Sequence, residues 1–540
     1  MRTKDLLSLW AGKAVAFGCH AAKRGGSSLP GLLVNRLNPG FVKSASSAQP
    51  YGNVIVTGTN GKTTTARMIL CILREAGLRP AHNRTGANLM SGIATTFVET
   101  YSLGGRPRSD IGLLEVDEAT VPRACAELKV AGLVVTNLFR DQLDRFGELD
   151  HTLALIRKGL EKTPEGTFVA VNADDPLVAS LGAAAGTKRR MIYYGWKSTK
   201  AADEGIEPNE WIKPSKGIGI EIKEAADIRH CLHCGNPYLY REVHYAHLGV
   251  YECQACGSKR PDPTVALIDY RSEAEAAGKP GGSVTGLDGP VTKAGGCVTE
   301  PGGSVTKPCR SITEPSDVIE PPDATDPGNV TEPAGSVINV ATPLGPLEAR
   351  ISVPGVYNLY NALAAISAAI GLGIDLDTIR RGLLGFRASF GRMEVVEVGD
   401  KRVFLALVKN PAGYNQVIRT LLQTEGEKNL VLCINDNYAD GRDVSWLWDV
   451  DFEALAQSRD RIRFIITSGI RAFDMAVRLK YAGFDESLIT TDEDLRRALS
   501  EGVSRTPPRG TLYVLPTYTA MLEVRKILQR SRCVKPFWRV

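Results

Sequence analysis

The stretch NVIVTGTNGKTTTARMILCILREAG, Asn53–Gly77, decides the fold. It opens as an apolar run, turns through GTNGKTTT (Gly58–Thr65), and resumes with Met68, Cys71 and Ile72 at helical spacing. That order predicts a buried strand, a glycine loop and a helix. Gly58 and Gly61 allow a tight turn that aims backbone N–H groups of Thr59, Asn60 and Thr64 at phosphate oxygens. Lys62 places a cation at the terminal phosphates, and Thr63 offers a hydroxyl to Mg²⁺. The usual phosphate loop has a glycine five residues before the second one, where this chain has Val56, so the loop is a shortened variant. The bland alternative, a glycine-rich turn with no ligand, does not account for a Lys-Thr pair between a strand and a helix.

Working outward, IGLLEVDE, GLVVTNL and TFVAVNADD are further apolar runs that end in polar residues and alternate with helical stretches. This is the pattern of an α/β fold with a parallel sheet and ligands at the strands' C-terminal ends. A magnesium nucleotide needs carboxylate oxygens. Glu115, at a strand terminus, is the best candidate; Asp117 and Glu118 lie just beyond it, and Asp141 and Asp144 follow later. Asp144, Glu148 and Asp150 read as loop solvation and helix caps. Asn172, with Asp174 and Asp175, suits contact with a base or ribose, although Asn-Ala-Asp also makes a good turn.

The 540 residues are enough for three or so domains. The net charge of +5 is small for this length and argues against nucleic-acid binding as the main activity. Residues 1–50 read as an amphipathic helical lead-in rather than a leader peptide, because Asp5 and Lys13 interrupt the required pattern. The eleven cysteines are scattered apart from one cluster, and no segment approaches a membrane span. The expectation is a reducing, cytoplasmic setting.

The cluster is Cys231-x-x-Cys234 and Cys253-x-x-Cys256, in a small insert at 226–262. Two such knuckles supply four thiolates for a structural Zn²⁺. His233 and His244 are alternative ligands by residue type, but the expectation is that they lie at the surface. Residues 271–336 differ again, rich in Gly, Pro, Ser, Thr and Glu with a Val-Thr beat at Val284, Val291, Val298 and Val305. One apolar residue per unit cannot offset the ordering entropy, so disorder is expected there. From about 385, RVFLALVKN, NLVLCIND, IRFIITSG and TLYVLPTYT are the candidate strands of a second α/β unit. Its loop INDNYADGRDVSW, Ile434–Trp446, gathers Asp436, Asp440 and Asp443, yet none of the seven histidines follows His247. These aspartates either build an Asx-type loop and helix cap or serve a histidine of another chain.

GTNGKTTT, EVDE, TNLFRDQLDRFGE, NADDP, the four-cysteine insert, GVYNLYNALAA, GRMEVV, KNPAGYNQV and DNYADGRDVSWLWDVDFE together resemble the Mur ligase superfamily, and within it the MurT family. The resemblance covers nearly the whole chain outside 271–336. It implies a central Mur-type ATPase domain at 51–350 and a Rossmann-like C-terminal domain at 351–540, after the N-terminal segment 1–50. It implies ATP-dependent amidation of the D-glutamate α-carboxyl of the lipid II stem peptide through an acyl phosphate. ATP, Mg²⁺ and Zn²⁺ would be bound, and ammonia would come from a GatD-type glutaminase. By motif match, Lys62 and Thr63 would handle phosphates and Mg²⁺, Glu115 metal, Asn361 the adenine, and Arg392 the phosphates from the second domain. Asp443 would orient the partner's catalytic histidine across the interface. Peripheral contact of the N-terminal helix with the membrane is compatible with a lipid-linked substrate.

The chain departs from amino-acid-adding Mur ligases at Asp141-Gln142, where they have Asp-His, and at Lys409-Asn410, where they have His-Asn. It also has no room before the phosphate loop for a uridine-nucleotide domain. An amino-acid-adding ligase of the Mur or folylpolyglutamate type is the first alternative. A zinc-ribbon NTPase that binds nucleic acid is the second.

Overall fold

A computed structural model describes residues 2–21, 28–83, 87–139, 149–186, 189–198, 228–272, 335–353, 355–387, 392–424 and 426–530. The strands of the first part are β1 (Asn53–Thr57), β2 (Pro80–His82), β3 (Ile111–Glu115), β4 (Val130–Val135), β5 (Phe168–Asn172), β6 (Arg190–Trp196), β7 (Leu239–Tyr245), β8 (Leu248–Glu252), β9 (Val265–Ser272), β10 (Ser336–Thr342) and β11 (Gly345–Ile351). All but β7 and β8 form one nine-stranded sheet, in the order β11-β10-β9-β6-β5-β4-β1-β3-β2. From β2 to β9 the neighbours run parallel, and β9-β10-β11 finish the sheet antiparallel. The anticipated strand–loop–helix is β1, the phosphate loop and the helix Lys62–Glu75.

Alternate residues of one strand feed two different cores. Val54 and Val56 pack on one face with the helices that follow β1 and β11, while Ile55 joins Leu133, Val135, Val169 and Val171 on the other. A strand buried on both faces must be apolar throughout, which is why these segments read as continuous runs. The N-terminal helices Thr3–Ala21, Leu29–Leu37 and Phe41–Ser47 belong to the second core. They contribute Leu9, Val34, Phe41 and Val42, packed with Phe97 and Tyr101. The lead-in is therefore part of the domain's wall.

The second part contains β12 (Arg392–Val398), β13 (Lys401–Ala406), β14 (Lys428–Cys433), β15 (Ile462–Ser468), β16 (Ile489–Thr491) and β17 (Thr511–Pro516). They form a six-stranded sheet, β12-β13-β17-β14-β15-β16, parallel except for the β12–β13 hairpin. The helices Val356–Gly371 and Leu376–Leu384 pack on the nine-stranded sheet through Leu359, Leu363, Ile366 and Ile379. They therefore side with the central unit, although they fall inside 351–540, because their apolar faces match the surface that the helix after the phosphate loop leaves open.

The low-complexity stretch lies almost wholly outside the described residues. Its flanks are ordered: Ser272 of β9 pairs directly with Ser336 of β10, so the segment leaves and rejoins the sheet at one point.

Candidate nucleotide site, cysteine cluster and aspartate loop

The C-terminal ends of β1, β3, β4 and β5 converge on the phosphate loop. Gly58 and Gly61 adopt φ of 123° and 86°, where a side chain is strained. A Cβ on Gly61 would lie 2.1 Å from Asn361 Oδ1, so the glycine also admits that neighbour. The strand-end residues of β4 pin the loop: Asn60 N donates to Asn137 Oδ1 (2.9 Å) and Thr136 Oγ1 donates to Asn60 O (2.7 Å).

Lys62 Nζ is held by Gly58 O and by Glu118 Oε1, the latter at 2.8 Å. Thr63 Oγ1 donates to Glu115 Oε2 at 2.8 Å. Glu115 is fully buried, and its other oxygen, Oε1, has no hydrogen-bond partner. His82 Nε2 faces that oxygen at 3.7 Å. Because His82 Nδ1 sits 2.9 Å from the carbonyl of Leu113, which can only accept, Nδ1 must carry hydrogen. In the neutral ring, Nε2 then presents a lone pair to a carboxylate oxygen. Two acceptors so placed call for a shared cation or proton. A hydroxyl and a buried, half-satisfied carboxylate at a phosphate loop form the hard-oxygen donor set that Mg²⁺ takes, so the residues fit the ion.

Asn172, at the end of β5, accepts from Asp174 N (3.0 Å) while its buried Nδ2 is unpartnered, a donor available to a nucleotide acceptor. Asn361 lies under the phosphate loop: its Oδ1 accepts from Thr65 Oγ1 (3.3 Å) and its Nδ2 donates to Asn358 Oδ1 (3.1 Å). Arg392 opens β12, and its side chain lies outside the described atoms, as do Asp141, Gln142 and Asp144. Residues that sequence reasoning left without a role arrive from the second sheet instead. Lys409 Nζ donates to Thr59 O (3.0 Å), and Asn410 exchanges hydrogen bonds with Asn60 (3.1 and 3.4 Å). Their signal was available: Lys409-Asn410-Pro411 closes an apolar strand and starts a helix, and Asn410 Oδ1 caps it by accepting from Gly413 N.

The four cysteines meet as the spacing predicts. The ligand atoms of Cys231, Cys234, Cys253 and Cys256 lie within 4.8 Å of one another. The Cys231–Cys256 and Cys234–Cys253 sulfurs are 3.6 and 3.4 Å apart. Four thiolates around Zn²⁺ stand about 3.8 Å apart, so the cluster fits that ion. His233 is exposed, as expected, but His244 is not: its ring is buried and stacks on Trp196 at 4.5 Å. Burial lowers its pKa. The hairpin β7–β8 carries its tip into the domain, which its spacing could not show.

In the second sheet, the three aspartates separate by environment. Asp440 is buried and accepts from Thr519 N (2.7 Å) and from Thr519 Oγ1. Its burial pushes the carboxyl pKa up. Asp436 lies 3.9 Å from Arg471. Asp443 is half-buried at the surface, with one oxygen accepting from Ser445 N at 2.8 Å. Around this loop, Tyr438 is 85% exposed, Tyr481 72% and Phe473 62%. Phe473, Val477 and Tyr481 share one helix face, and Trp448 packs edge-on against Tyr481 at 5.5 Å. Cys433 is buried in β14 with its thiol pKa raised, far from a nucleophile's needs.

Comparison with known proteins agrees with this geometry. Residues 56–223 match the family model for the Mur ligase middle domain, and residues 407–521 match that for the MurT ligase C-terminal region. The chain is 32% identical over 535 residues, 99% of each chain, to a Streptococcus pneumoniae protein named lipid II isoglutaminyl synthase (glutamine-hydrolyzing) subunit MurT. A Staphylococcus aureus protein of the same name is 29% identical, with 95% of each chain covered. Among solved structures, a pseudomurein peptide ligase type C from Methanothermus fervidus superposes with a TM-score of 0.59 at 21% identity, covering 92% of this chain and 83% of that one. A folylpolyglutamate synthase from Mycobacterium tuberculosis superposes with a TM-score of 0.53 at 13% identity, covering 92% and 97%. These two likenesses establish the fold.

Proposed function

Because the chain belongs to the MurT family of Mur ligases, we propose that it is the synthetase subunit of a lipid II isoglutaminyl synthase, an ATP-dependent carbon–nitrogen ligase of peptidoglycan biosynthesis. The end-to-end likeness to relatives of that name carries the reading. The γ-phosphoryl of ATP passes to the α-carboxylate of D-glutamate in the stem peptide, releasing ADP. Ammonia then attacks the acyl carbon, phosphate leaves, and the nitrogen loses a proton to give the D-isoglutamine amide. An amino-acid-adding activity is not favoured.

Mur ligases use ATP and Mg²⁺, and the residues divide that work. Backbone N–H groups of Gly58–Thr64 and the Lys62 ammonium take the phosphates, drawing Lys62 from its Glu118 partner. Thr63 and Glu115 would hold Mg²⁺, which when bound neutralises the gathering anions. Asn172 and Asn361 serve the nucleoside end. Lys409 and Asn410 already bridge from the second sheet to the loop, and Arg392 would join them as the domains close over the acyl phosphate and exclude water. The four cysteines would hold a structural Zn²⁺.

The subunit name implies a partner, and we assign it as a glutaminase. Asp443 would accept the imidazole N–H of the partner's histidine and stabilise the imidazolium. The exposed aromatic surface of Tyr438, Phe473 and Tyr481 suits a protein interface. No described helix is long and apolar enough to cross a membrane. The exposed Leu7, Trp10 and Phe17 of the first helix suit peripheral contact where lipid II resides.

The test is Asp443→Asn assayed with two nitrogen sources beside the glutaminase. Glutamine-dependent amidation should fall about 10³-fold or more, while activity with added ammonium stays near that of the unsubstituted chain. Equal loss with both sources would refute the assignment.

A further inference from the structure

The cysteine ribbon is wired into the nucleotide site rather than hung from it. Asp174, two residues past Asn172, is fully buried and takes three donors from three places. Trp196 N reaches it at 3.0 Å from β6, Tyr360 Oη at 2.7 Å from the helix after β11, and Arg260 Nε at 2.6 Å from just beyond Cys256. Tyr360 is the immediate neighbour of Asn361, which abuts Gly61. The hairpin tip makes a second contact. Tyr245 and Leu248 enter the core beside the phosphate-loop helix, and the rings of Tyr245 and His247 meet Phe139 at 5.2 and 4.9 Å. Phe139 N donates in turn to Thr59 Oγ1 in the phosphate loop at 3.1 Å. The backbone of β8 closes the arrangement, with Gly249 N donating to Asp174 O at 2.9 Å.

We propose that Arg260 is a positioning residue of the nucleotide site. Through Asp174 and Tyr360 it holds Asn361 against Gly61, so that nucleotide affinity depends on a closed cysteine ribbon. The physical basis is the carboxylate of Asp174. In a dry site, its geometry is fixed only while the guanidinium neutralises it. Without Arg260, the hydroxyl of Tyr360 and the indole-bearing strand are left to share an uncompensated buried charge. The least costly relief is movement of Asp174, which loosens the seat of Asn361. Arg260 is placed by its backbone N donating to Tyr251 O (3.0 Å) within the ribbon and by the Glu252–Lys259 bridge, so its position follows the ribbon's.

The inference rests on the nucleotide-site reading, and its experiment measures binding rather than amidation. Titration calorimetry with Mg²⁺ and a non-hydrolysable ATP analogue should give at least a tenfold weaker Kd for Arg260→Gln, with Arg260→Lys recovering most of the loss. The KM for ATP should rise in step while the KM for ammonium does not. The unsubstituted chain provides a second measurement that needs no variant. Coupling is reciprocal at equilibrium, so saturating analogue must lower the apparent zinc Kd, read by competition with a chromophoric chelator, by the factor by which zinc tightens analogue binding. An apparent zinc Kd unchanged by saturating analogue, or Arg260→Gln with an unaltered Kd for the analogue, would overturn the proposal. An unsubstituted chain that binds no ATP analogue would instead remove the nucleotide-site reading beneath it.

Discussion

Glu115 at the end of β3 and Asp443 in the loop after β14 both lie on the C-terminal side of a parallel strand, yet their surroundings differ. Glu115 is fully buried, hydrogen-bonded to Thr63 and opposed by His82, with one oxygen lacking a hydrogen-bond partner. Asp443 is half-exposed, with one oxygen used in a turn and a surface of exposed aromatics around it. On the proposed function, the first carboxylate would meet a ligand that enters the domain, and the second a group that arrives on another surface.

The comparison breaks most visibly at Glu115. Glu115→Ala should reduce amidation at least ~10²-fold with glutamine and with ammonium alike, since on the proposed function it would act before nitrogen arrives. Binding of Mg²⁺ with a non-hydrolysable nucleotide, followed by calorimetry, should weaken in parallel. A variant that lost only glutamine-dependent activity would erase the distinction from Asp443.

Asp440 sharpens the comparison from within its own loop. Its carboxylate is buried on Thr519, so Asp440→Ala leaves two donors unsatisfied and should cost about 1–3 kcal/mol in stability, read from chemical denaturation. Asp443→Ala should cost less than ~0.5 kcal/mol, because it gives up one exposed turn bond. The reverse ranking would mean that Asp443, not Asp440, holds the loop together.

The strands, the phosphate loop and the cysteine cluster were legible because each depends on local pattern. A strand buried on both faces is apolar throughout, a phosphate turn needs Gly58 and Gly61, and a thiolate site needs two close pairs of cysteines. What the pattern did not carry was meeting across distance. Lys409 and Asn410 reach Thr59 and Asn60 from about 350 residues downstream, and Arg260 reaches Asp174 from within the ribbon. His244 lies in an exposed-looking hairpin, yet burial against Trp196 follows from where that hairpin inserts, which no spacing encodes. The ownership of the helices after β11 was hidden for the same reason. An apolar helix face does not name the sheet it will cover.

The smallest effect contrasts charge burial for function with charge burial without it. Lys428 at the start of β14 is buried, its ammonium donating to Thr424 O (3.0 Å) and Gly426 O (2.9 Å). Burial, with Arg461 nearby, brings its pKa down to about 8 from 10.5. Between those two values the unfolded chain holds a proton that the folded chain has lost. Unfolding then takes up a proton, so stability rises with pH across this window, whereas below about 8 both states are charged and the penalty is constant. Comparing the unsubstituted chain with Lys428→Met isolates this contribution from other titrating groups. The difference between their unfolding free energies should change as pH rises from 8 towards 10, in the direction of a relative gain for the chain that keeps the lysine. A difference that stays flat over that range would show that Lys428 keeps its proton in the fold, and that its partners there offset the burial that Glu115 would meet with a metal.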